Sequence, residues 1–192
     1  MKNLISIFTV LLSTLLLSSC TDNDDTLQLG GKMVVNGVEY PLTKGSIKPN
    51  YTGDDTVNFD KRKFYIVLSN GEIGMESNSY VYSDEMTQLI NFNLLTSVEH
   101  QGSVEYTTYS IAGTDMDFSK PYINYSSIYT NIVVENGVPI SDDDFSLDNM
   151  TNGEVSISHS NGIYNIVFSF SDAENTVSGN YRGRLTELIY HY

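Results

Sequence analysis

The run Asp142-Asp143-Asp144, followed by Asp148, Asn149 and Asn152 ahead of Gly153, is the densest group of potential ligands in the chain. Hard carboxylate and amide oxygens in a flexible loop are what Ca²⁺ coordinates, so Asp142, Asp144 and Asp148 are the candidate ligands. The register of a twelve-residue calcium loop fails, however. Counted from Asp148, Met150 stands where an oxygen is needed and no acid closes the loop. A solvated acidic turn between strands accounts for the same residues.

Nucleophilic and metal chemistry find little to work with. The three histidines, His100, His159 and His191, sit in unrelated contexts, and no Gly-x-Ser-x-Gly elbow accompanies them. There is no His-x-His, no His-Glu-x-x-His and no glycine loop of the kind that cradles phosphate. With 24 acidic residues, any carboxylate pair picked as a glycosidase couple is uninformative, because that geometry lives in three dimensions. The expectation is a protein without a cofactor and without catalysis, with a hydrolase as the minor alternative.

The tyrosines carry a recognition hypothesis. There are 14 Tyr and no Trp, grouped at Tyr80/Tyr82, Tyr106/Tyr109 and Tyr122/Tyr125/Tyr129. A phenol offers an apolar face and a polar tip, which suits binding of a sugar or a protein surface. Tyr80, Tyr82, Tyr122, Tyr125 and Tyr129 are therefore the binding candidates. Cross-strand and core packing competes for the same rings, since aromatics are ordinary strand residues.

The elements that position these residues are read from the turns. Asn-Gly occurs five times, at Asn36, Asn70, Asn136, Asn152 and Asn161. Both residues tolerate positive φ, which a tight type I′ turn needs, so the pair between apolar runs signals a hairpin. The flanks alternate with period two. Phe64, Ile66 and Leu68 share a face, and Ile90, Phe92 and Leu94 alternate with Asn91 and Asn93. Val155 and Ile157 lead into Asn161-Gly162, and Tyr164, Ile166, Phe168 and Phe170 return from it. Val177, Gly179, Tyr181, Gly183 and Leu185 share a further face; its two glycines mark a close approach or a bulge. No segment sustains a 3.6-residue period. The expected fold is an all-β, antiparallel β-sandwich, with a lipocalin-like β-barrel as the alternative. Longer irregular pieces, 43–60 and 111–127, are the expected crossovers between sheets.

The N-terminus has the parts of an export signal: the basic start Met1-Lys2-Asn3, an apolar stretch from Leu4 to Leu17, then the small residues Ser18 and Ser19. Leu17-Ser18-Ser19-Cys20 resembles the lipobox of bacterial lipoproteins. That resemblance implies cleavage before Cys20, a diacylglycerol on its thiol and an acylated amine, so that the chain is held to a membrane through Cys20. Two or three acyl chains anchor stably, at about 0.8 kcal/mol per buried methylene. Thr21-Asp22-Asn23-Asp24-Asp25 resembles the acidic tract of Bacteroidota lipoproteins displayed on the outer face of the outer membrane. Asp25-Thr26-Leu27 and Asp55-Thr56-Val57 match the short O-glycosylation pattern of that phylum. The order of strands and turns also resembles a broad group of Bacteroidota envelope lipoproteins. It rests on Val35-Asn36-Gly37-Val38-Glu39-Tyr40-Pro41-Leu42, Gly153-Glu154-Val155-Ser156-Ile157, Gly162-Ile163-Tyr164-Asn165-Ile166-Val167-Phe168 and Gly179-Asn180-Tyr181-Arg182-Gly183. It implies a cell-envelope β-domain and brings no catalytic residues with it.

Composition bounds the partners. Without residues 1–19 the chain keeps 9 basic against 24 acidic side chains, a formal charge of −15. A pI near 4.3 argues against nucleic acid, whose phosphates require a basic footprint, and against anionic head groups. With Cys20 lipidated no cysteine is left for a disulfide or a thiolate ligand. The expected organisation is a signal peptide at 1–19, a lipidated acidic tether at 20–31 and one β-domain at 32–192. The expected role is a lipid-anchored outer-membrane protein facing the cell exterior, which binds a glycan or protein partner or serves structurally. A barrel holding a small apolar ligand against Phe92 or Phe168 is the second reading, and a surface hydrolase the third.

Overall fold

The computed structural model describes residues 29–49, 63–77, 79–100, 102–111, 117, 119–147 and 150–188. The leader, Cys20, Asp148, Asn149 and His191 lie outside these residues. In chain order the strands are β1 (Gly30–Val35), β2 (Val38–Leu42), β3 (Lys44–Pro49), β4 (Lys63–Ser69), β5 (Ile73–Glu76), β6 (Ser79–Tyr82) and β7 (Leu89–Leu95). A 3-10 turn at Val98–His100 precedes β8 (Thr108–Ile111), β9 (Tyr122–Glu135), β10 (Val138–Ser146), β11 (Asn152–Ser160), β12 (Ile163–Ser171), β13 (Thr176–Gly183) and β14 (Thr186–Glu187). No helix among the described residues is long and apolar enough to cross a membrane.

The hydrogen-bonded path runs β14-β3-β4-β7-β9-β8-β11-β12-β13-β1-β2, with β10 on the far part of β9 and β5-β6 as a separate hairpin. The join in the middle is narrow: β8 and β9 share only the pairs Ser110↔Tyr122 and Ile111↔Ile123. There the path folds back, so that β3-β4-β7-β9 forms one layer and β8-β11-β12-β13-β1-β2 the other. At the opposite edge the chain steps from β2 into β3 through Thr43, whose N–H donates to Ser69 O at 2.8 Å. Strand β2 pairs only with β1 among the described residues, so the path stays open. This is a β-sandwich, and the barrel alternative is set aside.

Period-two patterning builds the core as the sequence requires. Ile66, Leu68, Ile90, Phe92 and Leu94 from one layer meet Val155, Ile157, Ile166, Phe168 and Phe170 from the other, all buried. The Phe92 and Phe168 rings lie 5.2 Å apart, and Phe92 stacks on Phe170 at 6.2 Å. Phe92 and Phe168 thus fill the centre that the second reading needed empty. Burying each such side chain contributes about 1.5–3 kcal/mol.

Three departures from expectation have physical causes. The sheet is mixed rather than purely antiparallel, because β14 returns beside β3, and β8 meets β9, in parallel. The domain also begins earlier than residue 32: Gly30 and Gly31 already pair with Arg182 and Tyr181 in the ladder between β1 and β13.

The third concerns the Asn-Gly pairs. Those at Asn36, Asn136 and Asn161 make two-residue hairpins, with φ of 49°, 53° and 53° at Asn and 85°, 78° and 77° at Gly. Asn70-Gly71 does not. The Asn70 side chain instead ties the end of β4 to the segment before β7: its Oδ1 accepts from Thr87 N at 3.0 Å and Gln88 N at 3.2 Å. Asn152-Gly153 is not a turn either, since both residues lie in β11 opposite Ser171 and Phe170. Gly153 serves close packing there, where a Cβ would stand 2.4 Å from Ile111 Cδ1 and from Phe170 Cδ1.

Candidate functional site: a tyrosine-lined cleft

Alternation along three strands creates an outward face on the first layer. With Phe64, Ile66 and Leu68 turned inward, Tyr65 and Val67 of β4 must point to the other face, and the same parity turns Leu89 and Asn91 of β7 to it. The register places Leu89 beside Tyr129, Asn91 beside Ser127 and Asn93 beside Tyr125. Two elements then cover this face. The β5–β6 hairpin brings Ile73, Tyr80 and Tyr82, and the far half of the β9–β10 ribbon brings Ile132 and Pro139. The ribbon bends at Asn131, which takes φ of 53°, next to register shifts at 139/141 and 141/143 in β10. A second core forms beneath: Ile73, Met86, Leu89, Ile132, Val134 and Leu188 are buried, with Tyr80, Tyr82 and Tyr129 packed against them.

A cleft of about 270 Å³ remains between these elements and the sheet. Tyr65, Tyr80, Tyr82, Tyr125 and Tyr129 line it, with Asn91 and Asp142 as its polar points. Asn91 Nδ2 donates to Ser127 Oγ at 2.7 Å, which fixes the amide. Beside it Asn93 is buried, and its Oδ1 has no hydrogen-bond partner among the described residues. Burial, followed by the neighbouring Tyr80 and Tyr129, holds the Tyr82 hydroxyl above the ordinary tyrosine range. At Tyr129 a hydrogen bond with Ser127 pulls downward, but burial, Asp144 and Tyr125 outweigh it and the net displacement is upward. Both phenols therefore stay protonated through neutral pH, as donors and acceptors. Lys48 Nζ lies 5.1 Å from the Tyr80 ring centroid and 5.9 Å from that of Tyr65, so the two rings sit beside a cation.

No family model, curated protein or solved structure matches this chain.

Of the five tyrosines expected to bind, the cleft gathers Tyr80, Tyr82, Tyr125 and Tyr129. Tyr122 stands apart, beside Leu95 and Ser110 at the other end of β9. Tyr65 is a lining residue that the sequence does not flag; its signal is the parity with Phe64 and Ile66. Tyr109 is a core residue: its hydroxyl donates to Glu105 O at 2.8 Å, and burial pushes it far above the usual range. Tyr106 stacks on the His159 imidazole at 5.2 Å, and Tyr164 packs tilted against the same ring at 4.5 Å. His159 and Tyr164 continue the parity of β11 and β12, but His159 and Tyr106 are exposed, so these rings pack at a solvent-facing end of the sandwich.

The acidic run is not a loop. Asp142, Asp143 and Asp144 are exposed residues of strand β10, so neighbouring carboxylates alternate between faces instead of converging. Asp142 joins the cleft, Asp143 Oδ2 accepts from Asn131 Nδ2 at 2.6 Å, and Asp144 pairs across the ladder with Tyr129. Asp148 lies outside the described residues, and among them no three His, Cys, Asp or Glu side chains gather as a metal site.

One other grouping has the residue types of a nucleophilic triad. Ser97 Oγ lies 3.0 Å from His100 Nδ1, and Glu105 Oε2 lies 3.6 Å from the same nitrogen. A relay needs the hydroxyl on one ring nitrogen and the acid on the other. Here both meet Nδ1, while Glu105 Oε2 also accepts from Ser97 N at 2.9 Å. The arrangement braces the 3-10 turn.

Proposed function

We propose that this protein is a non-enzymatic glycan-binding lipoprotein of the bacterial outer membrane, anchored through Cys20, and that the tyrosine-lined cleft is its binding site. The observation that carries this reading is the convergence of five tyrosines, from β4, β6 and β9, on one cleft. Core packing alone does not require that number of rings to border a single open space. Phenol rings offer apolar faces to the C–H side of a sugar, while their hydroxyls and the Asn91 amide meet its hydroxyl groups. A volume of about 270 Å³ suits one sugar residue of a chain that continues into solvent. The lipobox and the acidic tract after Cys20 support the address, and the excess of acidic side chains fits a domain held in water off a negative cell surface.

The test has two arms. Electrophoresis of the purified protein through gels containing neutral polysaccharides is expected to show retardation in at least one of them. Unchanged mobility in a broad panel would count against the glycan. On intact cells, added protease is expected to cut the protein. Cleavage only after lysis would count against outward display.

A further inference from the structure

The groups that line the cleft are unbalanced in sign, while two cations stand by its Tyr65 and Tyr80 rings: Lys48 Nζ is 5.1 Å from the Tyr80 centroid and Lys63 Nζ 5.5 Å from that of Tyr65. Among its described lining residues Asp142 is the one charged side chain, and a carboxylate is purely an acceptor. Asn91 spends an amide donor on Ser127, at 2.7 Å. The donors that remain are the second Asn91 N–H and the phenol hydroxyls, which accept as well as donate. Neither lysine lines the cleft, so a ligand seated beside Asp142 meets the carboxylate and not a cation. A ligand that fits must therefore bring an apolar face and hydroxyl donors, and must carry no anionic group near Asp142.

Resting on the glycan reading above, we propose that the cleft selects neutral sugars and that Asp142 is the residue that excludes acidic ones. A uronate or sialate carboxylate seated over the tyrosines would face the Asp142 carboxylate at close range, where like charges repel even beside solvent. Position matters as much as sign. Asp143 is the adjacent residue with the same charge, but it does not line the cleft and is bonded to Asn131. The two aspartates thus separate a local effect from that of the whole chain, whose formal charge is −14.

The experiment compares binding of a neutral polysaccharide and its carboxymethylated derivative, for example dextran and carboxymethyl-dextran, or the matched pair of whichever neutral polymer binds. Isothermal titration is run on the purified protein, on Asp142→Asn and on Asp143→Asn. The unsubstituted protein is expected to bind the carboxymethylated form at least about tenfold more weakly, which corresponds to about 1.4 kcal/mol. Asp142→Asn is expected to reduce that ratio to about threefold or less, and Asp143→Asn to leave it in place. Equal ratios in all three proteins would assign the exclusion to bulk charge and overturn the role of Asp142. Equal binding of both polymers by the unsubstituted protein would overturn the selectivity itself. Failure of every neutral polymer to bind would end the glycan reading, and this inference with it.

Discussion

Tyr65 and Tyr125 flank Asn93 in register, one strand to either side, so two rings of the cleft border a buried amide whose Oδ1 has no partner among the described residues. A buried acceptor left unsatisfied costs about 1–3 kcal/mol, whereas an apolar side chain of similar shape is close to neutral. Asn93→Leu is therefore expected to leave stability unchanged or raise it by about 1 kcal/mol in urea unfolding. A clear loss of stability would show that the amide is satisfied in the folded protein.

Gly31 tests where the domain begins. A Cβ at this position would stand 1.9 Å from Asn180 O, a backbone atom that cannot swing aside. Gly31→Ala is expected to cost at least about 2 kcal/mol, since β1 must lift from β13. At the exposed turn a Cβ on Gly37 would meet open space but would inherit φ of 85°. Gly37→Ala is expected to cost about 1 kcal/mol from backbone strain. A silent Gly31→Ala in thermal and urea unfolding would contradict the packing of β1 against β13 at this position.

How much of this was legible in the sequence differs from element to element. The inward faces of β4, β7, β11, β12 and β13 follow directly from period two, because side chains alternate across a strand whatever else surrounds it. The outward faces do not follow. Asn91 and Asn93 among Ile90, Phe92 and Leu94 read as a water-facing side, yet Asn93 is buried and Asn91 half-buried. What covers them is the β5–β6 hairpin and the bent end of the β9–β10 ribbon, and such long-range coverage leaves no local mark. Asn-Gly carries the same lesson: where Asn70 finds Thr87 and Gln88 within reach, tertiary hydrogen bonds displace the hairpin. Tyrosine grouping named both β6 rings and two of the β9 rings that line the cleft, but only the register separates Tyr125 and Tyr129 from Tyr122.

Alkaline pH offers a test of the buried phenols. Burial raises the hydroxyls of Tyr82, Tyr109, Tyr164 and Tyr181 above their value in the unfolded chain, near 10. In this window the folded state keeps protons that the unfolded state has lost, so stability falls as pH rises. The contribution is fully present below about pH 10 and is lost progressively above it. Urea unfolding at intervals from neutral pH to about 11.5 is expected to show a flat region and then a decline. The decline should be shallower in Tyr109→Phe once the loss of its hydrogen bonds with Glu105 is subtracted. A stability that stays flat to the end of that range would contradict the burial of these hydroxyls.

The central claim is that the cleft, and not the tyrosines at large, binds the ligand. The direct measurement is isothermal titration of whichever neutral polysaccharide retards the protein, against Tyr80→Ala, Tyr129→Ala and Tyr122→Ala, each first shown to be folded by circular dichroism. Loss of a ring at the centre of a binding site weakens affinity by about tenfold or more. The account predicts that loss for Tyr80→Ala and Tyr129→Ala, and no change for Tyr122→Ala. Binding that survives both cleft substitutions, or that depends on Tyr122, would contradict it.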